Sequence, residues 1–133
     1  MSLNKIKIIP LKIYKNVKGD ILKYINKRNK YLRAFGEIYF TEIKKNKTKG
    51  WNFHKKNQCL ITVPFGKVKF TFAKNVNSKK KIITIGKKNH SMIIVPPGNW
   101  FKFESLEKIS LVVSTLDNIH NDNETLKLPV KLD

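Results

Sequence analysis

At 133 residues and 15.5 kDa, with 41% hydrophobic residues, the chain is long enough to bury one core, which excludes both a disordered polymer and two independent domains. Lys and Arg number 28 against 9 Asp and Glu, a formal charge of +19, so an anionic partner is favoured. Only two of the 28 are arginine, Arg28 and Arg33, which argues against a nucleic-acid surface, where bidentate guanidinium forks grip phosphate.

From the N-terminus onward the apolar residues follow period two rather than 3.6: Ile6 and Ile8, then Ile38 and Phe40, then Val68, Phe70 and Phe72. Further β-branched or aromatic runs occupy Ile21–Ile25, Leu60–Val63, Ile82–Ile85, Ser91–Val95, Trp100–Phe103 and Ile109–Thr115. Pro64, Asn75–Ser78, Gly86–Asn89 and the corner Pro96-Pro97-Gly98 punctuate them. The spacing predicts an all-β barrel or sandwich, a single domain over residues 1–133 with no long helix. Cys59 has no cysteine to pair with, so the chain reads as a reduced, cytoplasmic protein with a buried, inert thiol. No apolar run approaches the ~20 residues needed to cross a bilayer, and Met1–Lys7 lacks the apolar stretch of a secretory signal.

Between Glu42 and Glu104 there is no acidic residue, while 15 lysines fall in the interval. These lysines either gather at the mouth of a pocket that takes an anion such as a pyrophosphate, or point outward from alternating strands. Within Lys49–Lys56, strand alternation puts Asn52 and His54 on one face and Phe53 on the other. A neutral imidazole at His54 can take and return a proton near neutral pH. Metal ligation needs three or four converging His, Cys or carboxylate groups. The central segment has no carboxylate, and His90 stands in a Lys-rich turn, so no metal site is expected.

Four blocks in order, Phe35–Glu42, Lys49–Lys56, Val63–Phe70 and Val95–Phe103, resemble the dTDP-4-dehydrorhamnose 3,5-epimerase-like cupins, in particular the short branch that includes the dTDP-sugar 3,4-ketoisomerases. The closing segment Leu116–Glu124 is similar as well, so the resemblance spans about residues 15–126. It implies a double-stranded β-helix (cupin jelly roll) with residues 35–115 in the barrel. The N-terminal strand 4–14 would lie outside it, at a homodimer interface. It further implies a nucleotide-diphosphate sugar as ligand, no cofactor, no metal, and proton abstraction beside a 4-ketone. His54 matches the second of the family's two histidines and is the expected base; Asn52 stands where the first would be. Lys49, Trp51, Asn52, Trp100, Lys67, Arg33 and His120 are the expected substrate-binding residues, Trp100 either as a stacking platform or as barrel packing. Where a metal-binding barrel has Pro-x-Gly-x-x-His, this chain ends in Phe101. The functions open at this point are an epimerase or ketoisomerase, a non-catalytic nucleotide-sugar binder, and, less well supported, an RNA- or polyanion-binding barrel.

Overall fold

The computed structural model describes residues 5–121 and 123–129. Residues 1–4, where the expected N-terminal strand and the domain begin, lie outside the described residues, as do Asp122 of the closing segment and the last four positions of the domain. Twelve strands, β1 (Lys7–Pro10), β2 (Ile13–Tyr14), β3 (Ile21–Leu22), β4 (Glu37–Lys44), β5 (Thr48–His54), β6 (Cys59–Phe65), β7 (Lys67–Ala73), β8 (Lys80–Gly86), β9 (Ser91–Val95), β10 (Trp100–Ser105), β11 (Ile109–Leu116) and β12 (Thr125–Lys127), carry the fold. They form two five-stranded antiparallel sheets, ordered β1-β9-β6-β11-β4 and β12-β5-β10-β7-β8, with β2 and β3 as a separate hairpin. This is the double-stranded β-helix expected from the sequence. A single 3-10 turn, Lys87–Asn89, joins β8 to β9. No described helix is long and apolar enough to cross a membrane.

Between the sheets the core is aromatic and branched: Phe70 and Phe72 of β7 are fully buried against Ile61, Val63, Ile85, Ile93, Val112 and Leu116. The alternation at Val68, Phe70 and Phe72 therefore points inward as its pattern implies. On β4 the same period has the opposite sense: Ile38 and Phe40 are 47% and 69% exposed, while Tyr39 and Ile43 point in. β6 and β9 are apolar on both faces because both are covered. Leu60, Met92 and Ile94 face away from the sandwich and pack under an irregular arm that brings Tyr24, Ile25, Tyr31 and Leu32. That arm replaces the longer strand expected over Ile21–Ile25, of which only Ile21–Leu22 pairs. The Tyr24 hydroxyl donates to the Leu60 carbonyl at 2.7 Å and meets Thr115 Oγ1 at 2.9 Å, which pins the arm to two strands of the sheet.

Two strands border the 35–115 barrel. β1 pairs with β9 of its own chain at one edge of the first sheet. β12 pairs with β5 at the edge of the second, so the barrel extends beyond residue 115 and takes its last strand from the tail.

An irregularity in β5 decides which side chains share a face. Lys49 and Asn52 stand opposite Phe103 and Phe101, so two residues of β5, Gly50 and Trp51, match one of β10, Lys102, and one residue is extra. This β-bulge at Gly50-Trp51 brings Lys49 onto the face of Asn52 and His54, where strict alternation would have turned it away. Gly50 makes it possible: its φ is +123°, and a Cβ there would sit 2.7 Å from Lys102 Cα and 2.8 Å from the Phe101 carbonyl oxygen. Gly50→Ala is expected to lower stability by about 1–3 kcal/mol, measured as a fall in the urea midpoint at unchanged slope.

Candidate active site

One end of the sandwich is not filled by side chains. A cavity of about 310 Å³ opens there between the sheets. Its second-sheet wall is formed by Lys49, Asn52 and His54 of β5, Phe101 and Phe103 of β10, and Thr125 and Lys127 of β12. Glu37, Tyr39 and Thr41 of β4 and Ser114 of β11 face them, with His120 at the side. A strand whose polar positions turn inward while its apolar ones turn outward is unusual. On β4 that inversion follows from facing a polar cavity instead of the core.

The strap from Leu116 to β12 completes this cavity and is fixed at several points. The Arg33 guanidinium donates to the Asp117 carboxylate through Nε and to the Lys56 carbonyl at 2.9 Å through Nη2. The Asn118 N–H donates to Asn57 Oδ1 at 2.9 Å, and the His120 N–H to Glu37 Oε1 at 3.0 Å. Gly36 lies against the strap so closely that a Cβ would come within 2.3 Å of the Asn118 backbone.

This anchoring delivers Glu124 to His54. Glu124 Oε2 accepts from His54 Nδ1 at 2.9 Å and from the Thr125 hydroxyl at 2.9 Å, while Oε1 accepts the N–H groups of Asn57 at 2.8 Å and Lys56 at 3.0 Å. Both side chains are only 6% exposed. Burial acts to push the Glu124 carboxyl up, but the hydrogen bonds from His54, Asn57 and Lys56 outweigh it and hold it at about 2. An ionised carboxylate only accepts, so Nδ1 of His54 carries a hydrogen, and in the neutral ring Nε2 is the nitrogen with the lone pair. The pair is an imidazole oriented by a buried carboxylate.

Tyr39 supplies the complementary group on the opposite sheet. Burial, reinforced by neighbouring Cys59, Glu37 and Glu124, pushes its phenol well above the usual value despite a hydrogen bond with Ser114, so it stays protonated. Burial likewise pushes the Cys59 thiol up to about 12, and it is unreactive.

The predicted residues divide cleanly. His54, Asn52, Lys49 and His120 meet in the cavity. Trp51 lies outside it, with the Lys102 and Lys80 ammonium groups 5.0 and 5.9 Å from its ring centre. Trp100 packs on Phe53 at 4.9 Å between ring centres, which is barrel packing on the outer face. Lys67 lines a separate depression with Gly66 and Thr84, and Arg33 anchors the strap. Of the 15 central lysines only Lys49 lines the cavity; its second lysine, Lys127, comes from the strap.

Sequence reasoning missed Glu124, Tyr39, Thr125 and Lys127. Among the described residues, His54, His120 and Glu124 form a group whose potential ligand atoms lie within 4.8 Å of one another, built around a carboxylate that the central segment lacks. Both Glu124 oxygens are already engaged by four donors, so ligation of a metal would displace the bonds that hold the strap.

No protein-family model matches the sequence, and no curated protein sequence does. Solved structures do match, among them sugar-nucleotide epimerases and isomerases that share this jelly-roll fold. A dTDP sugar isomerase from Desulfovibrio desulfuricans G20 superposes with a TM-score of 0.87 at 23% identity, over 94% of this chain and 84% of that one. For the dTDP-6-deoxy-D-glucose-3,5-epimerase from Legionella pneumophila in complex with dTDP-4-keto-L-rhamnose, the TM-score is 0.81 at 16% identity, over 96% and 74%. A sugar 3,4-ketoisomerase from Thermoanaerobacterium thermosaccharolyticum in complex with TDP gives 0.76 at 16% identity, over 94% and 89%.

The depressed Glu124 carboxyl has a consequence for acid stability. A lowered native value contributes stability that is complete above the unfolded value of 4.5 and is lost as pH falls to about 2. Glu124→Gln is therefore expected to lower the urea midpoint at neutral pH, with the gap to the parent protein narrowing as pH is lowered through that window.

Proposed function

We propose that the protein is an epimerase or ketoisomerase of a dTDP-linked 4-keto-6-deoxyhexose that works by proton transfer at a carbon beside the ketone. The observation that supports this reading is the His54–Glu124 pair facing a cavity whose opposite wall carries a protonated Tyr39. His54 Nε2 takes the proton of the C–H next to the ketone. The C–H electrons form a C=C bond and the carbonyl electrons move onto oxygen, giving an enolate. The Asn52 amide, beside His54 on the same face, donates to that oxygen. The Tyr39 hydroxyl returns a proton from the facing wall, and the two groups recover their protonation states through solvent. Return to the same carbon from the opposite side inverts it; where that carbon bears a hydroxyl, passage of the hydroxyl proton to the enolate oxygen and protonation of the former ketone carbon instead move the C=O to its neighbour.

Lys49 and Lys127 are the cations available to a diphosphate at the cavity. The homodimer expected from the resemblance has an apolar surface to use: Ile38 and Phe40 on β4, beside Leu111 and Val113 of β11 and Phe65 of β6 on the outer face of the first sheet. A non-catalytic nucleotide-sugar binder is the second reading, favoured by Asn52, an amide with no basic nitrogen beside the single strand-borne histidine.

In deuterated water with dTDP-4-keto-6-deoxyglucose, the protein is expected to introduce deuterium next to the ketone. His54→Ala should slow exchange at the carbon that His54 serves roughly 10²–10⁴-fold with binding nearly intact, and Tyr39→Phe should retain exchange while losing product turnover. Binding of the ligand without exchange would favour the second reading. TDP affinity should fall by roughly tenfold in Lys49→Ala/Lys127→Ala, and in the parent protein it should weaken as salt is raised, since partly exposed lysines are screened over about 8–10 Å. Isothermal titration at two salt concentrations measures both.

A further inference from the structure

The cavity holds a second imidazole wired like the first. His120 is half-buried, and its Nδ1 lies 3.3 Å from Thr125 Oγ1. The Thr125 hydroxyl gives its one hydrogen to Glu124 Oε2 at 2.9 Å. Thr125 can then only accept from His120, so Nδ1 of His120 carries a hydrogen, and in the neutral ring its Nε2 is the nitrogen with the lone pair. One carboxylate thus orients two rings, His54 directly and His120 through a hydroxyl. The ring centres are 6.3 Å apart with planes at 85°, so the two lone pairs address different points of the cavity. A ketone acidifies the C–H bonds on both of its flanking carbons, and these diverge from the carbonyl.

We infer that His120 is a second catalytic base, so that His54 and His120 each serve one of the two carbons flanking the ketone. This rests on the reading given under Proposed function. At either carbon the balance is the same: Nε2 accepts the proton, the C–H pair becomes the C=C bond, and the carbonyl π pair moves to oxygen. The imidazolium exchanges its proton with solvent and returns one to the same carbon, restoring the ketone. With its phenol on the facing wall, Tyr39 completes inversion at whichever carbon has been deprotonated.

The test is site-resolved deuterium incorporation into dTDP-4-keto-6-deoxyglucose, followed by NMR for the parent protein, His120→Ala and His54→Ala. The parent should label both flanking carbons. His120→Ala should confine label to one of them, the other slowing by roughly 10²–10⁴-fold, and added imidazole should restore part of the lost rate, which a merely structural role would not allow. His54→Ala should confine label to the opposite carbon. Labelling of both carbons within twofold of the parent in His120→Ala, or of one carbon only in the parent, overturns the inference and leaves the proposed function standing. No labelling in the parent overturns both. Long-range ¹H–¹⁵N spectra of the intact protein give a check independent of turnover. They should show neutral His120 protonated at Nδ1; protonation at Nε2 overturns the inference even if exchange is observed.

Discussion

The Glu124 carboxylate is the joint on which the site depends. It receives four hydrogen bonds from three segments: His54 at the end of β5, the Lys56 and Asn57 amides in the turn that follows, and Thr125 at the start of β12. Burying a carboxylate is costly unless its lone pairs are matched by donors. Here two of the donors are main-chain N–H groups, whose positions are fixed by the path of the β5–β6 turn. The carboxylate therefore closes the second sheet and sets the tautomer of the base in a single arrangement. The Arg33–Asp117 pair and the Asn57–Asn118 bond hold the other end of the strap, so the geometry at Glu124 does not depend on that residue alone.

How much of this was legible in the sequence follows from the range of each interaction. Period two at Val68, Phe70 and Phe72 is local, and it identified strands and their buried face. At Ile38 and Phe40 the period was right and the face inverted, because alternation carries no sign: whether a strand's apolar side faces the core depends on what the other side faces. Asn52 and His54 could be paired from adjacent positions on one strand. Lys49 joins them through a one-residue bulge that only the register with β10 shows. Glu124 reaches His54 across 70 positions, and nothing local to either residue announces the pairing. Trp51 and Trp100 were candidates as large aromatics near the motif, but neither lines the cavity: Trp51 is buried beneath Lys80 and Lys102, and Trp100 packs on Phe53.

Charge illustrates the same separation of scales. A total of +19 describes the surface of the molecule, yet the cavity wall sets two lysines against one carboxylate, Glu37, and neutral polar groups. The composition speaks to the long-range field that an approaching anion meets. The local hydrogen bonds decide which groups hold a proton, and at Glu124 they outweigh burial.

The strap between β11 and β12 brings His120, Glu124, Thr125 and Lys127 to the cavity, yet apart from its strand pairing it lies outside the packed core between the sheets. Apolar packing and part of the cavity's polar lining are thereby assigned to different stretches of the polypeptide, with Glu124 also anchoring the strap. Substitutions in the core are constrained by close packing, whereas the strap can change its side chains with its main-chain pairing to β5 intact. A barrel arranged this way can diversify its reactivity by drift in about ten residues while the scaffold stays put.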